Sequence, residues 1–239
     1  MFTREKHDTR EKWLASRNAV RTNDFRLSGT EASVCCGDNP WTDICELYDI
    51  KMGLTTRPDI SNRPQIRYGV DMEPIIRAAM MVDLPYFSLS YRGFDILKSI
   101  RYPWMTCTLD GELEIVTEDN PWGFPAGTRG ILECKTGSFR KAEDLAPWEE
   151  GIPVYYYEQM VHCLAVTGWD FAICAARLKR DAYRDEDQGF PEIRNFYRIV
   201  DMRSPWTQQD MRQLVDIESQ FLNENLKKKV RPARRLVFR

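Results

Sequence analysis

The spacing of apolar and polar positions divides the chain at about residue 83. Before that point the periodicity is helical. The segment up to about residue 22, carrying Trp13 and Leu14, reads as a helix. A glycine-containing turn at LSGTE (27–31) follows, then a helix through Val34. WTDICELYDIKMG (41–53) places Ile44, Leu47 and Tyr48 at helical spacing and ends on Gly53. TTRPDISNRPQ (55–65) is loop, and YGVDMEPIIRAAMMV (68–82) is helical again. Pro74 either starts or kinks that helix, because proline lacks an N–H and crowds the preceding turn. After residue 83 the pattern changes. YPWMTCTLD (102–110) is a strand-like run ending at the turn signal Asp110-Gly111, and TRGILECKT (128–136) is a second strand beyond the loop DNPWGFPAG (119–127). VYYYEQMVHCLAVTG (154–168) is apolar nearly all round and predicts a buried helix closed by Gly168. FAICAARL (171–178) and IRNFYRIV (193–200) read as two more strands. Ser204-Pro205 then opens a last helix with Leu214, Ile217, Phe221 and Leu222 on one face. Helices, strands, a helix, strands and a helix predict an α/β fold with a mixed central sheet flanked by helices.

Composition narrows the class. With 43% hydrophobic and 12% aromatic residues in 239, the chain can bury a core and is not a disordered segment. It contains no apolar run of about 18 residues, so no transmembrane helix is expected. The charged start MFTREKHDTREKW lacks the apolar stretch of a secretory signal. Seven cysteines, an odd number with no C-x-x-C pair, argue for reduced thiols in a cytoplasmic protein and against a zinc ribbon or an iron–sulfur cluster. Net charge is −2, but residues 227–239 (KKKVRPARRLVFR) carry seven positive charges and no negative ones. The rest therefore stands near −9, the difference between −2 and +7. Residues 1–226 read as one domain followed by a basic C-terminal tail, which is either a local cationic contact or a solvated end.

One constellation carries chemistry. Asp110 ends the first strand-like run, and Glu133-Cys134-Lys135 lies within the second, 23 residues after Asp110. Side chains at i and i+2 of a strand share a face, so Glu133 and Lys135 point together while Cys134 points into the core. If the strands pair, Asp110 joins them. Two carboxylates and the Cys134 carbonyl oxygen make a hard oxygen site suited to Mg²⁺, with Mn²⁺ as a substitute. Such a cation activates water and stabilises charge on a phosphate, and Lys135 can orient or help deprotonate the water and neutralise charge in the transition state. Taken alone, D…E-x-K arises readily by chance among 36 acidic residues. The placement of both acids in apolar strands makes chance a poorer account, because an unpartnered charge there is costly.

Four segments, in order, resemble the lambda-exonuclease-like, YqaJ-type viral recombinase family, whose members share the restriction-endonuclease-like PD-(D/E)XK core. They are WLASR with LSGTEASVCCGDNPW…LYDIKMG, then YGVDMEP, then CTLDGEL with GILECKT, and PVYYYEQMVHCLAVTGWDFA, together spanning about residues 13–175. The resemblance implies a Mg²⁺-dependent exonuclease that degrades the 5′-ended strand of duplex DNA, leaving a 3′ overhang for a single-strand annealing protein. It also implies a ring-shaped homo-oligomer around DNA and a phage or viral gene acting inside a host cell.

By the same resemblance Asp110 and Glu133 are metal ligands, Lys135 is the catalytic lysine and Glu73 is a helical acid that organises the metal site. Gln159 would contact the DNA end, and Thr108 would donate to a phosphate oxygen. Two departures concern the 5′-phosphate pocket. Thr30 stands where the family has serine, and Val161 replaces the second glutamine of a Gln-x-Gln pattern. The phosphate-binding arginine best matches Arg17, but about six extra residues follow it, so Arg21 and Arg26 stay open as alternatives. Rival readings are a structure-specific endonuclease or resolvase on the same core, and a non-catalytic module that binds DNA ends. The intact acids and lysine argue against the second.

Overall fold

A computed structural model describes residues 1–21, 23–181 and 192–234 of the chain. In chain order its elements are β1 (Phe2–Lys6), α1 (Arg10–Asn18), β2 (Leu27–Ser28), α2 (Gly29–Cys36), α3 (Ile44–Lys51) and α4 (Pro64–Asp83). Then come β3 (Phe87–Ser90), β4 (Asp95–Ser99), β5 (Met105–Cys107), β6 (Gly111–Ile115) and β7 (Arg129–Phe139). The chain continues with α5 (Ala146–Glu149), α6 (Val154–Thr167), β8 (Phe171–Arg180), β9 (Ile193–Asp201) and α7 (Pro205–Gln220), which runs on into a π-helical segment, Phe221–Leu226.

The strands form two sheets, not one. The larger is mixed, in the order β3-β6-β7-β8-β9, with β7 and β8 parallel and the other neighbours antiparallel. The smaller runs β1-β4-β5-β2. Alternation along β7 decides what each face of the larger sheet carries. Ile131 packs in a core with Met160, Val161 and Leu164 of α6, whereas Leu132 and Cys134 pack in a second core with Ile76 and Met80 of α4. Each fully buried aliphatic side chain contributes roughly 1.5–3 kcal/mol, so these two apolar cores fix the strand register and with it the direction of Glu133 and Lys135. Gly29 opens α2 where a Cβ would stand 3.0 Å from Cys163 Sγ and 3.2 Å from Gln159 Cγ, and its absence lets α2 lie directly on α6. Gly168 ends α6 at φ +68°, the left-handed conformation that glycine adopts without strain.

The mixed, helix-flanked architecture matches the expected fold class, and several elements differ in detail. The N-terminus begins as a strand, not a helix. β1 pairs antiparallel with β4, and Arg4 binds Asp95 at 2.9 Å and the buried Glu112 at 2.6 Å. The short strands β3 and β4 have too few residues to show a period, and neither stands out in the sequence. The run 102–110 is strand only at Met105–Cys107, and Asp110 sits in the link that leads from the smaller sheet to β6 of the larger. α4 starts ten residues before Pro74, with Pro64 in its first turn, so Pro74 is interior. The donor it lacks would have served the Val70 carbonyl, on an exposed stretch of the helix where water can replace it.

Six of the seven cysteines are buried and all are free thiols. No described helix is long and apolar enough to cross a membrane. Of the basic tail, Arg231 binds Asp49 at 2.7 Å and Arg234 binds Asp43 at 2.9 Å, both on or at the start of α3, while Arg235 and Arg239 lie outside the described residues.

Candidate active site

Glu133 and Lys135 stand on the α6 side of β7, where the alternation places them, and α6 delivers Gln159 between them. Lys135 Nζ donates to Glu133 Oε1 at 2.7 Å and to Gln159 Oε1 at 2.9 Å. Gln159 Nε2 donates to the same Glu133 oxygen at 2.5 Å. All three side chains are removed from water, with only 5% of the Glu133 and 12% of the Lys135 side chain exposed and Gln159 buried. Beneath Lys135 lies the ring of Tyr156, 4.3 Å from Nζ. The second oxygen, Glu133 Oε2, is buried with no hydrogen-bond partner among the described residues.

Asp110 enters from the link between the two sheets, just before β6. Its Oδ2 accepts from the Cys134 backbone N–H at 2.8 Å, so β7 meets Asp110 through a donor while the Glu133 side chain leaves the same strand close by. Desolvation, then Glu133, then Glu73 push the Asp110 carboxyl up to about 8, against the smaller pull of Lys135 and the Cys134 N–H. Burial pulls the Lys135 ammonium down, but Glu133 and Asp110 more than reverse it and hold the lysine protonated well above its ordinary range. In this arrangement Lys135 donates to both Glu133 and Gln159.

Glu73, on α4, lies close enough to add to this negative charge, and its own pKa is raised by desolvation while the nearby Arg77 opposes the shift. Arg77, one turn on, donates to the Asp110 backbone carbonyl at 3.1 Å and stacks on Tyr91 at 3.9 Å. Sequence reasoning missed Arg77, although its i+4 spacing from Glu73 was visible.

The charge balance supplies a test of fit for a divalent cation. Buried Glu133 and half-buried Asp110 share one hydrogen-bonded cation among the described residues, Lys135, Asp110 is pushed toward its neutral form, and one Glu133 oxygen is orphaned. A hard cation would satisfy all three conditions. Among the described residues no three His, Cys, Asp or Glu side chains form a ready-made ligand set. The protein thus offers two carboxylates, a number suited to Mg²⁺, which keeps several waters and takes the remaining oxygens from substrate.

The expected phosphate-binding residues form a corner beside this centre. Arg17 Nη2 donates to Thr30 Oγ1 at 3.2 Å, and the Thr30 and Ser28 hydroxyls are 3.2 Å apart. Desolvation lowers the Arg17 pKa against the attraction of Glu31, Glu133 and Asp110, with Arg57 adding repulsion. Arg17 and Arg57 therefore converge near the carboxylates. Glu31 anchors that corner from below. It is buried, binds Arg57 at 2.6 Å, Lys51 at 2.8 Å and the Ser28 N–H at 2.8 Å, and although burial works against it, the two cations pull its pKa down to about 2. Glu31, Lys51 and Arg57 were not singled out from sequence, since a capping glutamate and two distant cations carry no joint pattern. Of the alternative arginines, Arg26 is consumed by Glu5 at 2.8 Å and Asp24 at 3.2 Å, and Arg21 turns back to Ser16. Thr108 stands half-buried two residues before Asp110, with its hydroxyl unengaged among the described residues.

Comparison with known proteins bears on the family and the fold. A profile of the YqaJ-like viral recombinase domain matches residues 12–170. The alkaline exonuclease LHK-Exo from Laribacter hongkongensis has a similar fold, with TM-score 0.50 and 16% identity over 92% of this chain and 97% of that one. So does a phage-related exonuclease from Haemophilus somnus 129PT, with TM-score 0.52 and 12% identity over 86% of this chain and 97% of that one. No curated protein matches the sequence.

Proposed function

The chain belongs to the YqaJ-like viral recombinase domain family, whose exonuclease-like fold it shares, and we propose that it is a metal-dependent exonuclease of double-stranded DNA ends. The observation that carries the proposal is the imbalance at the centre: half-buried Asp110 held against buried Glu133, one Glu133 oxygen unpartnered among the described residues, and Lys135 and Gln159 holding the other.

A divalent cation, Mg²⁺ with Mn²⁺ as substitute, would be held by Asp110 and Glu133, with the Cys134 carbonyl as a third oxygen, and supplies a Lewis acid beside the scissile phosphodiester. The chain's own residues do the rest. Gln159 locks the Glu133 and Lys135 rotamers, so the ammonium is aimed before substrate arrives. Lys135 donates to the attacking water or to a phosphate oxygen as negative charge grows there. Glu73 adds negative charge that favours cation binding, and Arg77 fixes the backbone of Asp110. Arg17 and Thr30, with Thr108, hold a terminal 5′-phosphate, which carries more charge than an internal diester. Holding that phosphate sets the next scissile bond at the carboxylates, so binding energy becomes positioning.

The family supports the further expectations of 5′-to-3′ resection, a ring of identical subunits, an annealing partner for the exposed strand, and action inside a host cell. The basic tail would add backbone contacts. With Arg231 and Arg234 turned onto α3 and Lys228 paired with Glu224, those contacts rest on Lys227, Lys229, Arg235 and Arg239.

The test is a labelled linear duplex against a closed circle of the same sequence, each with Mg²⁺, Mn²⁺, Ca²⁺ or chelator. Expected are rapid loss of the linear form in Mg²⁺ and Mn²⁺, DNA binding with little cleavage in Ca²⁺, and an intact circle throughout. Equal attack on the circle overturns the exonuclease reading in favour of an endonuclease, and cleavage in chelator overturns metal dependence.

A further inference from the structure

A row of aromatic rings leads from the catalytic lysine out to solvent. Lys135 Nζ sits over the Tyr156 ring at 4.3 Å. Tyr156 meets Tyr155 with centroids 4.4 Å apart, and Tyr155 meets the indole of Trp41 edge-on at 5.2 Å. Trp41 is 67% exposed, although it sits only three contacts from a side chain that is nearly sealed from water.

The exposure is built in rather than incidental. The turn that carries Trp41 is tied to α2. Asp38 N–H and Asn39 N–H both donate to the Ser33 carbonyl, and the Asn39 side chain donates to Ser33 Oγ at 2.9 Å. The other end of the Asn39 amide accepts from the backbone N–H groups of Trp41 and Thr42, both at 2.9 Å. Asp43 then caps α3 through the Glu46 N–H at 2.9 Å. The backbone on both sides of the tryptophan is thereby fixed, and the indole is supported along one edge by Tyr155. An exposed indole on a fixed backbone, steadied by one ring contact, loses little freedom on binding, which suits a flat π-surface partner. Core packing does not explain it, because among the described residues its only ring contact is with Tyr155 on the surface side of α6.

We propose that Trp41, backed by Tyr155, is a stacking platform for an unpaired nucleobase next to the scissile phosphate. The occupant is a base of the strand being cut, frayed from its partner as its phosphate enters the Asp110–Glu133 centre. Every base presents a π-face, so the platform grips without reading sequence, as a nuclease that advances along arbitrary DNA requires. Tyr156, under Lys135, ties the platform to the catalytic cation: a base seated on Trp41 sets how far the backbone reaches toward Lys135. The inference rests on the nuclease reading for its meaning, but the stacking itself is measurable without turnover.

Two measurements on the full-length protein test it. In chelator, an end-frayed duplex with an unpaired 5′ base is titrated while tryptophan emission is followed, for wild type and Trp41→Phe. The quench present in wild type and missing from Trp41→Phe should disappear when the unpaired nucleotide is abasic. In Mg²⁺, Trp41→Ala should raise KM about tenfold, more than it lowers kcat, and Trp41→Phe should recover most of the loss. On a substrate abasic at that nucleotide, the KM of wild type should rise to that of Trp41→Ala and the substitution should cost nothing further. An equal penalty on normal and abasic DNA, an unchanged KM, or a change in oligomeric state of Trp41→Ala by light scattering overturns the platform, the last by making Trp41 a subunit contact. Base-dependent quenching without cleavage by wild type in any divalent cation leaves the platform standing and removes the nuclease reading.

Discussion

One helix, α6, serves two enclosed ionic clusters that differ in what they leave undone. At Gln159 it meets Glu133 and Lys135. Three residues on, His162 is fully buried, with Nδ1 2.7 Å from Glu218 Oε1 on α7 and Nε2 3.0 Å from the Thr106 carbonyl on β5. Each carboxylate leaves one oxygen without a partner, Glu133 Oε2 in the first cluster and Glu218 Oε2 in the second. The neighbours differ. Glu218 faces a histidine whose two nitrogens both meet acceptors, so the ring is held protonated: burial lowers its pKa, but Glu218 more than compensates and carries it to about 9. Glu133 faces a lysine and, beside it, a second acid that is driven up to about 8. Burial of charge is common to both, and the excess of like charge belongs to one. That excess separates the proposed cation centre from a closed pin between helices.

The comparison breaks most sharply at the acids. Asp110→Asn, Glu133→Gln and Lys135→Ala should each reduce nuclease turnover on the order of 10³-fold or more, with circular dichroism and thermal midpoint preserved. Near-wild-type turnover in any one of them would remove that residue from the centre.

At the second cluster the effects should invert. His162→Ala leaves Glu218 buried without its cation and should destabilise the fold by ~3–5 kcal/mol, while turnover per folded molecule changes little. The sign of the pH dependence follows from the raised pKa. The contribution of His162 is complete below its unfolded value of about 6.5 and is lost as pH rises through about 9. Denaturant midpoints measured from pH 6 to 10 should fall over that window in wild type and stay flatter in His162→Gln. Matching slopes in the two proteins would show that the histidine is buried neutral.

Gln159 belongs to the first cluster and should behave accordingly. Gln159→Ala frees both Glu133 and Lys135 to change rotamer and should lower kcat about 10- to 100-fold, as loss of a residue that orients metal ligands does. A loss of stability with turnover unchanged would move Gln159 to the structural side of the helix.

The smallest effect concerns the corner. Arg17→Ala should erase most of the preference for a 5′-phosphorylated over a 5′-hydroxyl end, and Arg26→Ala, already neutralised by Glu5 and Asp24, should leave it intact. The reverse outcome would shift the register of the family resemblance across residues 18–26.

The strong helices and the long strands of the larger sheet were legible because their periods persist for eight or more residues: α4, α6, β7 and β8 all lie where the apolar pattern places them. β1, β3 and β4 were not, since four or five residues of mixed polarity acquire a strand's identity from the partner they pair with. The carboxylate–lysine core was readable for the same reason as β7 itself: a two-residue period inside an apolar strand determines locally that Glu133 and Lys135 share a face and Cys134 does not. Everything that gives the centre its electrostatics was decided by tertiary structure. Asp110 comes from a link between sheets, Gln159 from a helix, Glu73 and Arg77 from α4, and Glu31, Lys51 and Arg57 from three segments with no common spacing. Coulomb energies depend on separation in space and on exclusion of water, and neither is a function of separation along the chain.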